Sequence, residues 1–217
     1  MSLEDLKFAA YLAVALVPAL VLHEYAHAFA AVRLGDPTPR RWGRLTLDPR
    51  PLIDPFGSLI LPALALILIA ARGQLLLPVF AYAKPMPLDA SHLRNPGRDP
   101  LIVSAAGLAA NLVVAMIGGL VIRLGLGGEV RPFAWAWVWV NALMFAFQLM
   151  PIPGLDGARL LGRVLPPRPR QVFADLEQYL VLFILVVFFV FSGPLLSIVD
   201  AFANIACNVA ASADCFG

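Results

Sequence analysis

Charge is what this chain has least of. Only 14% of its 217 residues are Asp, Glu, Lys or Arg, against about 25% in ordinary soluble proteins. The 60% of residues that are hydrophobic come in long runs, which excludes a soluble globular domain and points to a chain that crosses a bilayer several times. A net charge of +2 leaves no basic excess of the kind that grips nucleic acid. Cysteine is nearly missing. Cys207 and Cys215 lie close to the C-terminus without metal-ligand spacing to a histidine, so free thiols and a single disulfide both stay open. There is no repeat, no low-complexity tract and no soluble domain. The opening MSLEDLK sets Glu4 and Asp5 against Lys7, so it lacks the positive start of a cleaved signal peptide.

Histidine is scarce too, at three residues, and two of them stand four apart around a glutamate. The segment is Leu22-His23-Glu24-Tyr25-Ala26-His27-Ala28, and residues 8–22 before it carry no charge. His at i and i+4 share one helix face and can grip one metal together. Glu24 is then placed to take a proton from a water on that metal. Ionisable groups cost about 2.5–3.5 kcal/mol each at mid-membrane on insertion scales, so they mark function there by default. The plain alternative is a buried, merely satisfied histidine pair, for which an apolar helix offers few partners.

About 20 apolar residues cross a bilayer as a helix. Residues 7–32, 101–122, 133–150 and 176–192 are predicted spans, residues 56–71 form a second apolar run that with residues 75–83 enters the bilayer and returns on the same side, and residues 195–211 either span or lie in the interface. Arg72-Gly73-Gln74 interrupts the second run, and residues 75–83 resume it for too few positions to cross, which predicts a re-entrant or interfacial piece. Leu45-Thr46-Leu47 alternates, so residues 40–57 are expected to form a β-hairpin-like loop or edge that pairs with an unwound peptide. The expectation is an all-α polytopic membrane protein. It has about 5–6 transmembrane helices, a re-entrant segment and that short hairpin. Residues 1–217 form one membrane-embedded domain, with a core over about 10–165 and C-terminal helices over about 172–211.

Arginine and lysine crowd three loops. Residues 33–55 hold Arg33, Arg40, Arg41, Arg44 and Arg50; residues 84–100 hold Lys84, Arg94 and Arg98; residues 151–171 hold Arg159, Arg163, Arg168 and Arg170. Only Lys7, Arg72, Arg123 and Arg131 remain. The positive-inside rule puts the three loops in the cytoplasm, so the first span ends there with the histidines a turn or two inside.

A catalytic zinc takes three protein ligands and keeps a position open. Candidates for the third are His92, Asp36, Asp48, Asp54, Asp89, Asp99 and Asp156. Most sit in polar loops. Asp156 directly follows the span 133–150, within Pro151-Ile152-Pro153-Gly154-Leu155-Asp156-Gly157, at about the depth and on the side of His27. The prolines cannot continue a regular helix, and open backbone at membrane depth is tolerated only inside protein or along a watery cavity.

His23-Glu24-Tyr25-Ala26-His27 in an early span, with Pro151 to Gly157 after a late one, resembles the site-2 protease family of intramembrane zinc metalloproteases. Gly43-Arg44-Leu45-Thr46-Leu47-Asp48-Pro49 and Ile53-Asp54-Pro55-Phe56-Gly57 are similar to the segment after the zinc helix in its small bacterial branch, which lacks PDZ and CBS domains. Ala83-Lys84-Pro85-Met86-Pro87 and Arg94-Asn95-Pro96 are similar to that branch's central loop. Ala106-Gly107-Leu108-Ala109-Ala110-Asn111 resembles its Gly-Pro-x-x-Asn motif. The resemblance implies one zinc ion on His23, His27 and Asp156, with Glu24 as base. It also implies that Asn111 and Gln148 hold substrate or the developing oxyanion. Leu108 stands where the family has proline and Gln148 where it has asparagine; neither is a metal ligand. The implied activity is peptide-bond hydrolysis in or near transmembrane segments of single-span substrates, in a multi-pass protein of the cell membrane. The rival classes are a membrane metal-ion transporter, which gives Glu24 no task, and an inactive relative that only binds partners.

Overall fold

The computed structural model describes residues 3–64, 67, 82–84, 86–125, 127–162, 165–190 and 192–211. Helix α1 runs over Leu3–Leu34 and carries Pro18 inside it. At 1.5 Å per residue it is about 48 Å long, more than a bilayer's hydrocarbon core. The short α2, Thr38–Arg41, follows. Then come α3 over Asp99–Arg123, α4 over Val130–Gln148 and the short α5 over Asp156–Gly162. Helices α6, Pro167–Leu176, α7, Leu180–Val190, and α8, Ser192–Ala211, complete the order. Among the described residues three helices are long and apolar enough to cross a membrane: Leu6–Leu34, Asp99–Arg123 and Val130–Gln148.

Helices α1, α3 and α4 pack against one another, and α8 covers α3 and α4. Lipid tails are as apolar as leucine, so close contact between helices depends on small residues that let backbones approach. Ala15, Ala19, Ala28 and Ala31 of α1 are fully buried, and Gly107, Gly118 and Gly119 are buried on α3. The outward faces stay apolar, with Val14, Val17, Ile117 and Leu120 exposed, as a hydrocarbon surround requires.

Contacts along the helices give their directions. His27 meets Val103 and His23 meets Asn111, so α1 and α3 are antiparallel. Asn111 meets Asn141 and Val114 meets Trp137, so α3 and α4 are antiparallel too. Helices α1 and α4 therefore run the same way and end on the same side. The buried Asp36 fixes the turn after α1: it accepts the Thr38 N–H at 2.9 Å and the Asp89 N–H at 2.8 Å. The Arg94 N–H donates to the Leu34 carbonyl at 3.0 Å, which brings the approach to α3 beside the end of α1.

The hairpin-like loop expected at residues 40–57 is not formed. Among the described residues there is no strand, and residues 43–49 turn and bend before the 3-10 turn Arg50–Leu52 and the π-helical turn Pro55–Ile60. Thr46 Oγ1 accepts the Asp48 N–H at 3.0 Å and Asp48 Oδ1 accepts the Arg50 N–H at 3.0 Å. Such local bonds compete with a ladder, and Pro49, Pro51 and Pro55 have no N–H to give one. The span expected at 176–192 is, from Leu180 to Val190, a helix of 11 residues preceded by the 3-10 turn Glu177–Tyr179. Residues 65, 66 and 68–71 of the expected run 56–71 and residues 75–81 of the expected piece 75–83 lie outside the described residues, as do Cys215 and the side chain of Cys207.

Candidate metal centre

His23 and His27 lie one helical turn apart, and their rings meet edge to face with centroids 4.5 Å apart. Their Nε2 atoms are 3.0 Å apart. Asp156 Oδ2 completes a triangle, 3.3 Å from His23 Nε2 and 3.0 Å from His27 Nε2. All three side chains are buried. Donors bound tetrahedrally to one zinc at 2.0–2.1 Å lie about 3.3 Å from one another. The triangle has those proportions.

The hydrogens around it point away from its centre. His27 Nδ1 stands 2.7 Å from the Val103 carbonyl, which can only accept, so Nδ1 carries a hydrogen, and in the neutral ring Nε2 is then a lone pair. His23 Nδ1 stands 2.6 Å from Asn111 Oδ1, with the same outcome. Asp156 Oδ2 is buried without a hydrogen-bond donor. With both rings neutral, three lone pairs face inward, and a cation between them relieves their repulsion, so this donor set fits a metal ion. Among the described residues no other group of three His, Cys, Asp or Glu side chains converges this way.

Two glycines make the triangle possible. A β-carbon on Gly107 would overlap Nε2 and Cε1 of His27 and lie 2.7 Å from Cε1 of His23, so α3 passes directly against the imidazoles. A β-carbon on Gly157 would overlap the Leu149 carbonyl and sit 2.5 Å from the Met150 oxygen. The chain leaving α4 thus folds back on itself, through Gly154 at φ +94°, and presents Asp156 at the start of α5. Arg159, one turn on, approaches Asp156 Oδ1 at 3.8 Å.

The other acidic candidates have structural work elsewhere. Asp36 ties the turn after α1, Asp54 accepts the Phe56 and Gly57 N–H groups, and Asp99 accepts the Asn95 N–H at 2.8 Å. Asp48 caps its own turn, and Asp89 accepts from Ser91 and faces His92 at 3.2 Å. The hydroxyl and N–H of Ser91, with a smaller share from His92, hold the exposed Asp89 carboxyl below its usual value. His92 is thereby part of the turn before α3, away from the triangle.

Glu24 is half-buried, the next residue round α1 from His23. No hydrogen bond or ion pair ties its carboxylate to another described residue. Gln148 at the end of α4 brings its amide nitrogen within 3.3 Å of His23 Nε2 and retains a little exposure. Asn111 has none. Its oxygen faces His23, and its amide nitrogen faces Asn141 Oδ1 at 3.0 Å and the Ala19 carbonyl at 3.4 Å. It stands behind a histidine, with its polar atoms already engaged. Sequence reading passed over Asn141, whose signal was a lone amide in an apolar run of α4.

Known proteins are similar to this chain in sequence. "Putative zinc metalloprotease YwhC" of Bacillus subtilis is 32% identical over 188 residues, 82% of this chain and 80% of that protein. "Putative zinc metalloprotease Rip2" of Mycobacterium tuberculosis is 36% identical over 173 residues, and its namesake from Mycolicibacterium smegmatis 37% over 169. The chain spans 62% and 59% of the lengths of these two. No family model and no solved structure matches.

Proposed function

Because the chain belongs to the site-2 protease family, the intramembrane zinc metalloproteases, we propose that His23, His27 and Asp156 hold its zinc and that Glu24 is the catalytic base. The observation that carries this is the triangle of three buried lone-pair donors, 3.0–3.3 Å on a side, drawn from two separate helices.

Bound zinc supplies a Lewis acid and brings the pKa of its water to about 7. The chain does the rest. Glu24, free of other partners, accepts the proton of the attacking water and passes it to the departing amide nitrogen. The water oxygen ends on the carbonyl carbon, so each cycle consumes one water and releases an acid and an amine. Gln148 aims its N–H at the space beside His23, where the carbonyl oxygen gains charge. The burial of the histidines within α1 keeps bulk water out and strengthens each of these interactions.

The arginines of residues 33–55, 84–100 and 151–171 support a cytoplasmic side for the zinc, near the shared ends of α1 and α4. Helix α8 has 20 residues, about 30 Å of helix, and is read as a further crossing that brings the count toward the expected five or six. The substrates are single-span membrane proteins whose helix unwinds at the site.

Reconstitution with a single-span substrate tests this. Glu24→Gln should keep zinc and lose cleavage by at least about 10²–10⁴-fold, the usual share of a general base. Asp156→Ala should lose zinc and cleavage together. Movement of zinc across the vesicle with no cleavage by the parent would overturn the reading in favour of transport.

A further inference from the structure

A chain of amides leads away from the metal centre into the middle of the helix packing. His23 Nδ1 meets Asn111 Oδ1 at 2.6 Å, Asn111 Nδ2 meets Asn141 Oδ1 at 3.0 Å, and Asn141 Nδ2 meets the Trp137 carbonyl at 2.8 Å. Asn111 Nδ2 also meets the Ala19 carbonyl at 3.4 Å. Asn111 and Asn141 are fully buried. We propose that Asn141 is a positioning residue for the His23 imidazole, acting through Asn111 to hold the ring in the form that leaves Nε2 free for a metal.

The polarity of this chain follows from its ends. A backbone carbonyl can only accept, so the amide atom that faces the Trp137 or Ala19 oxygen must be the nitrogen. Asn141 must turn its nitrogen to Trp137 and its oxygen to Asn111. Asn111 must turn its nitrogen to Asn141 and Ala19 and its oxygen to His23. His23 must then donate from Nδ1. No choice of amide orientation is left open, which matters because oxygen and nitrogen of an amide are otherwise easily exchanged.

Without Asn141 the arrangement loosens. Asn111 keeps only the longer contact to Ala19 and can rotate to offer its N–H to His23, which moves the ring hydrogen to Nε2. His27 has no such dependence, because the Val103 carbonyl holds it directly. The two ligands are thus set by different means, one by backbone and one by a pair of side chains from α3 and α4. Helix packing and metal affinity become linked through Asn141.

The inference rests on the reading that His23 binds zinc, and the test separates the two. Full-length protein labelled with ¹⁵N-histidine, stripped of metal at alkaline pH in detergent, reports the ring hydrogens of its three histidines directly. Asn141→Leu should shift His23 toward the Nε2-protonated form and leave His27 unchanged. Asn141→Ser, whose hydroxyl can donate to the carbonyl four residues back and accept from Asn111, should restore much of the parent pattern. Chelator competition should show zinc held about 10–100-fold more weakly by the leucine variant, the usual effect of removing a group that orients a metal-binding histidine.

An unchanged His23 signal with unchanged zinc affinity in Asn141→Leu would overturn the proposal. If that variant does not fold, shown by loss of the His27 signal as well, Asn141→Ala is judged by the same two measurements. A parent that binds no zinc would sink the metal reading, while the ring-hydrogen measurement would still decide the role of Asn141.

Discussion

Gly107 stands where any side chain would strike His27: a β-carbon at position 107 would overlap the imidazole Nε2 and Cε1 atoms. The close approach of α3 to α1 is therefore built around the two histidine rings. Gly107→Ala should displace His27 and weaken zinc by about 10–100-fold, as loss of ligand orientation does elsewhere. The measurement is competition with a chromophoric chelator, with circular dichroism to show the helices retained. Parent-like affinity would mean that α3 can retreat without disturbing the rings.

Gln148 sits 3.3 Å from His23 Nε2 through its amide nitrogen. If that N–H meets the developing oxyanion, Gln148→Leu should lower kcat by about 10²–10³-fold. Zinc content should not change, and Gln148→Asn should retain part of the rate. Single-turnover cleavage of a reconstituted substrate reads this. An unaltered rate in the leucine variant would remove Gln148 from the chemistry.

Gly157 lets the start of α5 press on the end of α4. Gly157→Ala would drive a β-carbon into the Leu149 carbonyl, and that oxygen belongs to the backbone and cannot swing aside. Overpacking of this kind costs on the order of 1–3 kcal/mol. Thermal unfolding in detergent should shift downward, and zinc stoichiometry should fall because Asp156 moves with the backbone.

Glu129, ahead of α4, accepts from Tyr11 and faces Lys7 at 3.4 Å, both near the start of α1. The Tyr11 hydroxyl first, then Lys7, hold its carboxyl below the usual value of 4.5. A lowered folded-state pKa adds stability that is fully present above the ordinary carboxylate range and disappears as pH falls through the lowered value. Melting temperature should therefore drop on acidification through that window, and Glu129→Gln should flatten the drop. The pair is exposed, so high salt should shrink the difference.

The apolar runs made the membrane helices legible, because a helix that faces lipid must satisfy its backbone internally and clothe itself in apolar side chains. Helices α1, α3 and α4 lie within a few residues of the expected 7–32, 101–122 and 133–150. The segment at 40–57 was misread because Leu45-Thr46-Leu47 alternates like a strand. Alternation records which side chains are apolar, and says nothing of the prolines and side-chain caps that use up the neighbouring N–H groups. Asn111 carried a recognisable motif, yet its direction was not legible. Which way an amide faces depends on the carbonyls of other helices.

By itself the sequence determined the pairing of His23 with His27, since the 3.6-residue period is a local property that puts i and i+4 on one face. It also determined the apolar setting and, through the arginine-rich loops, an expected side. The position of Asp156 after the span 133–150, with the family resemblance, already singled it out. Only the tertiary structure shows its carboxylate meeting those rings while Asp36, Asp54, Asp89 and Asp99 are engaged elsewhere. That meeting depends on α1 and α4 running the same way, on Gly157 letting the chain fold back, and on Gly107 letting α3 press against the rings. The same packing brought Asn141 into line behind Asn111. Spacing along a chain can set a face of one helix, whereas the choice of partner for that face is made by how the helices pack.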